Sequence, residues 1–98
     1  MDDAKASRTV TITNHAGMHI RPISLVAKLA NQFRAKVEVI KDNQRANAKS
    51  VLEMLSLGGR KGEEVLLEAT GEDAEAAVDA LARLFANKFH EDETDGPS

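Results

Sequence analysis

The apolar pattern of this chain changes period repeatedly along its 98 residues, and the order of the changes limits the folds open to it. Residues Arg8 to Thr13 alternate, with Val10 and Ile12 on one face and Thr9, Thr11 and Thr13 on the other. That pattern predicts a half-buried strand. Leu25, Val26, Leu29, Ala30 and Phe33 fall at helical spacing, which predicts a helix from about Ile20 to Phe33 with Pro22 in its first turn. Val37 to Lys41 reads as a second strand. Asp42-Asn43 is a turn signal, and Gln44 to Ala46 returns as a short third strand. Ser50 to Leu57 reads as a short helix stopped by Gly58-Gly59. Glu64 to Thr70 puts Val65, Leu67 and Ala69 on one face of a fourth strand. A last helix runs from about Ala74 to Lys88, with Asp73 as its N-cap. Its apolar stripe is Ala74, Ala77, Val78, Leu81 and Phe85.

The resulting order is β-α-β-β-α-β-α. Strands interleaved with helices through short connections predict an α+β domain, in which helices cover one face of a sheet containing antiparallel strands. The other face meets water, which suits the Thr, Lys and Glu positions between the apolar ones. Residues 1–7 read as a flexible leader, 8–89 as the domain and 90–98 as an acidic, disordered tail. The net charge is −3, and Glu91, Asp92, Glu93 and Asp95 in that tail more than account for it. A near-neutral body with only 3 aromatic residues argues against general nucleic-acid binding, which needs a basic footprint. The chain has no cysteine, and so neither a disulfide framework nor a thiolate metal site. No apolar run approaches membrane-spanning length and the start lacks a signal-peptide core, so a cytoplasmic protein without membrane insertion is expected.

Asn14-His15-Ala16-Gly17-Met18-His19-Ile20-Arg21-Pro22 carries the chemistry. It sets a histidine between a glycine turn and a proline-marked helix start. A helix N-terminus offers free backbone N–H groups and a partial positive charge, so it suits a phosphate. A neutral imidazole there is also a nucleophile that can itself take up the phosphoryl group. N–H groups near Ile20 and Arg21 can donate to phosphoryl oxygens, and the Arg21 guanidinium can add charge-assisted bonds. Phosphoryl transfer asks mainly for positioning and charge stabilisation, so one His and one Arg suffice for a carrier without a cofactor. The plainer reading of His19 is a surface residue or a cap. His15 and His19 are four apart, but Gly17 lies between them and no cysteine or acidic residue completes a ligand set, so no metal site is expected.

A second segment, Asn47-Ala48-Lys49-Ser50 through Gly58, places Ser50 at a helix start. Its hydroxyl reads as an N-cap or as a phosphorylation site. The helix is short and apolar nearly all round. Some of Val51, Leu52, Met54 and Leu55 must bury, and the rest would form an exposed patch fit for partner docking.

In this order and separation, the two segments resemble the HPr family, the histidine-containing phosphocarriers of the bacterial phosphoenolpyruvate-dependent sugar phosphotransferase system. Gly17-Met18-His19-Ile20-Arg21-Pro22 is similar to the family's Gly-Leu-His-Ala-Arg-Pro site. Asn47-Ala48-Lys49-Ser50 and Ser56-Leu57-Gly58 are similar to its serine-site signature, and Gly62, Val65 to Gly71 and Asp73 follow its closing pattern. The resemblance implies an open-faced β-sandwich, a four-stranded antiparallel sheet covered on one face by three helices. It implies that His19 accepts a phosphoryl group at Nδ1 from phospho-enzyme I, that Arg21 stabilises it, and that the group passes to EIIA components of sugar permeases. It also implies that Ser50 is open to HPr kinase/phosphorylase, in the service of carbon catabolite regulation. Such a chain is a monomeric carrier, not an enzyme with its own turnover. Ile20 replaces the family's usual alanine, and Ile23 stands where a small residue is common. Both would add bulk to a docking rim formed with Val51, Leu52 and Leu55. Glu53 stands where glycine or lysine is more usual and adds negative charge near Ser50.

Two alternatives follow from the same residues. One is a regulatory binding module controlled through Ser50, or a carrier of a nitrogen-related phosphotransfer branch. The other, a small-ligand sensor of ferredoxin-like type, fits the β-α-β order but leaves His19 without a role.

Overall fold

The computed structural model describes residues 4–90. Within them the chain forms β1 (Lys5–Thr11), α1 (Ile20–Ala30), β2 (Lys36–Lys41), β3 (Gln44–Asn47), α2 (Val51–Leu57), β4 (Glu64–Thr70) and α3 (Ala74–Ala86), followed by a 3-10 turn at Lys88–His90. The strands lie in the order β1-β4-β2-β3, and every pairing is antiparallel. The helices cover one face, so the fold is the open-faced α+β sandwich expected from the sequence.

Strand alternation sets which residues enter the core. Val65, Leu67 and Ala69 of β4 and Val37 and Val39 of β2 are buried under the helices. The outer face carries Thr9, Leu66, Ile40 and Arg45 as one cross-strand row. In the next row Glu38 and Glu68 sit directly opposite each other, a like-charge pairing that disfavours the sheet. Arg45 Nη1 bridges them, at 2.7 Å to Glu38 and 3.0 Å to Glu68. These two bonds, the Glu68 one first, hold the Arg45 guanidinium above its ordinary value. Between β2 and β3, Asp42 and Asn43 both take positive φ, 49° and 68°, the backbone that a two-residue hairpin requires.

Several boundaries differ from the sequence expectation. β1 begins at Lys5 rather than Arg8, so residues 5–7 of the expected leader pair with Glu68–Thr70 of β4. The pattern of Lys5 and Ser7 carries no apolar alternation, and their placement comes from the partner strand. β1 also stops at Thr11, because Ile12 leaves the ladder to bond the loop before β4. α1 closes at Ala30. Beyond it the backbone tightens, with Gln32 and Phe33 N–H bonding the Leu29 and Ala30 carbonyls at 3.0 and 3.1 Å, while Asn31 Nδ2 donates to the Ala27 carbonyl at 2.8 Å and Lys49 Nζ to the Phe33 carbonyl at 2.8 Å. The acidic segment 91–98 lies outside the described residues.

Asp73 holds the N-cap position of α3 but its carboxylate does not cap that helix. It accepts from the Arg34 and Ala35 N–H groups at 2.9 and 2.8 Å, clasping the α1–β2 connection to the start of α3. The Arg34 N–H, more than any other group, holds the Asp73 carboxyl below the usual carboxylate range, with burial opposing it and the Ala35 N–H adding to it. A carboxylate with a folded-state value below its unfolded one stabilises the fold above the unfolded value, about 3.9 for Asp. That contribution is lost as pH falls through the folded value. Asp73→Asn is therefore expected to lower the melting temperature at neutral pH, with the gap to the parent closing in acid. Thermal melts across that pH range check this, and a gap independent of pH would contradict it.

Candidate functional site

The histidine loop is built from the outside in. Ile12 N–H bonds the Glu63 carbonyl at 2.9 Å and Gly62 N–H returns to the Ile12 carbonyl at 2.7 Å, while Met18 N–H bonds the Gly59 carbonyl at 3.0 Å. The loop after α2 and the loop after β1 are thus bonded to each other along their length. Asn14, fully buried, donates from Nδ2 to the Gly17 carbonyl at 2.7 Å, and Gly17 N–H returns to the Asn14 carbonyl at 3.2 Å. In the sequence this brace shows only as an asparagine three residues before a glycine, a turn signal.

Two glycines permit this closeness. Gly17 has φ +73°, and a Cβ there would sit 2.7 Å from the Gly59 carbonyl oxygen. Gly59 has φ +147°, and its Cβ would meet the Ile12 side chain at 2.6 Å. The obstacle at Gly17 is backbone, which cannot rotate aside. Gly17→Ala should lower stability by about 1–3 kcal/mol, read from the urea midpoint. An unchanged midpoint would show that the two loops part freely.

This frame delivers His19 to the N-cap of α1 in extended conformation, φ −119° and ψ −171°, with no capping bond from its side chain. The side chain is half-buried and that of Arg21 is exposed. Ile23 is the first intrahelical donor, reaching the His19 carbonyl at 3.1 Å. The N–H groups of Ile20 and Arg21 precede it at the positive end of the helix, and Pro22 has no N–H to satisfy. A nucleophilic ring, two backbone donors and a guanidinium therefore share one helix start, which is the equipment for holding a phosphoryl group. His15 is exposed in the loop. Among the described residues, no group of three or more His, Cys, Asp or Glu side chains could hold a metal ion. Nor is any helix there long and apolar enough to cross a membrane.

The serine segment runs alongside α1, on which α2 packs. Its start lies at the C-terminal end of α1, where Asn31 Nδ2 donates to the Lys49 carbonyl at 3.2 Å, and the loop that follows it reaches the histidine loop through the Gly59 carbonyl. Ser50 is the N-cap of α2, and its Oγ accepts from the Glu53 N–H at 3.1 Å. The Glu53 carboxylate accepts from the Asn47 N–H at 2.8 Å, joining the first turn of α2 to the end of β3. Met54 and Leu57 are buried, whereas Leu52 and Leu55 are 77% and 42% exposed and Ile20 is 55% exposed. Val51 is half-buried. Leu52 and Leu55 line a shallow open depression with Ser50, Glu53 and Ser56. Ile23 is a correction to the sequence reading. It is fully buried in the core, so its bulk fills the space under α1 and adds nothing to an exposed rim.

A family model described as the PTS HPr component phosphorylation site matches residues 6–87. The phosphocarrier protein HPr of Treponema pallidum is 39% identical over 85 residues, covering 87% of this chain and 97% of that protein. The phosphocarrier protein NPr of Escherichia coli is 41% identical over 86 residues, covering 87% and 96%. Among solved structures, HPr from Thermoanaerobacter tengcongensis superposes with a TM-score of 0.85 at 41% identity, covering 88% of this chain and 97% of that one.

Proposed function

This chain belongs to the HPr family of phosphotransferase-system phosphocarriers, and on that premise we propose that His19 is its phosphoryl acceptor. The observation that carries this reading is the position of His19, at the N-cap of an 11-residue helix, inside the matched span 6–87. The Nδ1 lone pair attacks phosphorus, and the bond between phosphorus and the donor, phospho-enzyme I, breaks as the new P–N bond forms. Ile20 and Arg21 N–H groups and the Arg21 guanidinium take the phosphoryl oxygens. Charge-assisted hydrogen bonds of this kind contribute about 1.5–3 kcal/mol each, and the helix end adds about 0.3–1 kcal/mol. In the onward step the acceptor, an EIIA component, attacks phosphorus and the imidazole leaves. The chain works in this reading as a cytosolic monomer, a transfer intermediate between enzymes.

Relatives of both the HPr and the NPr kind match at similar identity, so sugar transport and the nitrogen-related branch are distinguished by donor. Purified chain is incubated with labelled phosphoenolpyruvate and either a sugar-branch or a nitrogen-branch enzyme I. A much higher initial rate with one donor assigns the branch, and absence of label with both would overturn the carrier reading.

Ser50 supports a second, regulatory reading. Ser50 lines the depression with Leu52 and Leu55, where a kinase docked on the apolar patch would find it. HPr kinase/phosphorylase with ATP should then place acid-stable phosphate on this chain, lost in Ser50→Ala. Failure of the wild-type chain to take up that phosphate would remove the reading.

A further inference from the structure

We infer that Arg60 and Lys61 form a second electrostatic arm beside the histidine site, one that docks against an acidic rim on the phosphotransfer partner. The inference rests on the phosphocarrier reading and adds a contact to it. A Cβ on Gly17 would lie 3.2 Å from Arg60 Cα and 3.5 Å from Lys61 N, so both backbones border the loop that delivers His19. Their positions are fixed: the Glu63 carboxylate accepts from the Arg60 N–H at 2.8 Å, and Glu63 N–H returns to the Arg60 carbonyl at 3.0 Å.

The side chains, in contrast, are exposed. Among the described residues, ion pairs join Arg8 to Asp79, Lys41 to Asp42 and Glu63, and Arg45 to Glu38 and Glu68. Arg60 and Lys61 belong to none of them. The nearby Glu63 carboxylate is already held by the Arg60 N–H and, at 3.9 Å, by Lys41 Nζ. With Arg21 also exposed, the loop side of His19 is cationic. α2, by contrast, exposes the apolar Leu52 and Leu55, while its Glu53 carboxylate is turned to the end of β3, where it accepts from the Asn47 N–H. The face is therefore polarised, and a partner with carboxylates opposite the loop and apolar groups opposite α2 meets it in a single orientation. Exposed charges at the edge of an interface act mainly on association and its salt dependence.

The test is steady-state phosphoryl transfer from phospho-enzyme I at low ionic strength, with this chain as the varied substrate. Arg60→Glu/Lys61→Glu should raise KM by about tenfold with kcat little changed, and the difference should shrink at high salt. The neutral Arg60→Gln/Lys61→Gln pair should fall between, and guards against a folding defect in the reversed one. Lys36→Glu is the control. It lies at the far end of the sheet, paired with Thr70, about 20 Å along β4 from the site, and should leave KM unchanged. An unchanged KM in both double variants, or a loss confined to kcat, would overturn the docking arm while leaving His19 as acceptor. Absence of transfer in the wild-type chain would overturn both.

Discussion

His19→Ala is expected to accept no phosphoryl group from phospho-enzyme I, while keeping its fold. In the proposed reading the loss is complete because the His19 side chain is the reacting group, while Arg21 and the helix end only hold what it binds. The fold is spared because the side chain is half-buried at the helix boundary and does not cap α1. The change in stability should stay within about 1 kcal/mol, checked by a thermal melt of the variant beside its parent. Retained label in His19→Ala would move the acceptor to another residue. Arg21→Ala separates the two roles, since it should slow transfer without abolishing it.

The largest loss of stability is expected far along the sequence, in Phe89→Ala. Phe89 is 1% exposed, and its ring meets that of Phe85 edge-on, with centroids 4.8 Å apart. Truncating a buried phenylalanine costs about 3–5 kcal/mol, and an aromatic pair adds about 0.5–1.5 kcal/mol to area burial. A domain of this size has about 5–15 kcal/mol in total. Phe89 reaches this place only because the chain turns back after α3, with Lys88 and Phe89 at φ 53° and 55°. The Phe85 carbonyl also accepts from Thr13 Oγ1 at 3.5 Å, so the end of α3 touches the start of the histidine loop. Urea denaturation should show a large downward shift of the midpoint, with Phe89→Leu recovering much of it. A midpoint unchanged in Phe89→Ala would mean that the turn after α3 contributes nothing to the core.

Much of this architecture is written in local pattern. The alternation in Glu64–Thr70, the Asp42-Asn43 turn, the Ser50 cap and the Pro22 helix start each express a backbone preference that needs no distant partner. What the pattern hides depends on partners remote in sequence. Lys5 and Ser7 enter β1 because β4 offers an unpaired edge, not because of their own periodicity. Asp73 stands where a helix cap belongs, yet its carboxylate serves Arg34 and Ala35, residues nearly forty positions earlier. Ile23 and Phe89 show the same limit from the packing side: which of several apolar residues goes inward is decided by the space left by other elements. The positions of His19 and Arg21 at one helix start and of Ser50 at another are legible in the sequence, whereas the place of Arg60 and Lys61 is not, because only the fold brings their loop to Gly17.

The most direct test of the central claim is the chemistry of the bond formed. Wild-type chain is incubated with enzyme I and labelled phosphoenolpyruvate, then split between acid and base treatment before the labelled peptide is sequenced. The carrier reading predicts acid-labile, base-stable label on the peptide containing His19, and none in His19→Ala. Acid-stable label, or label on a peptide without His19, would contradict it.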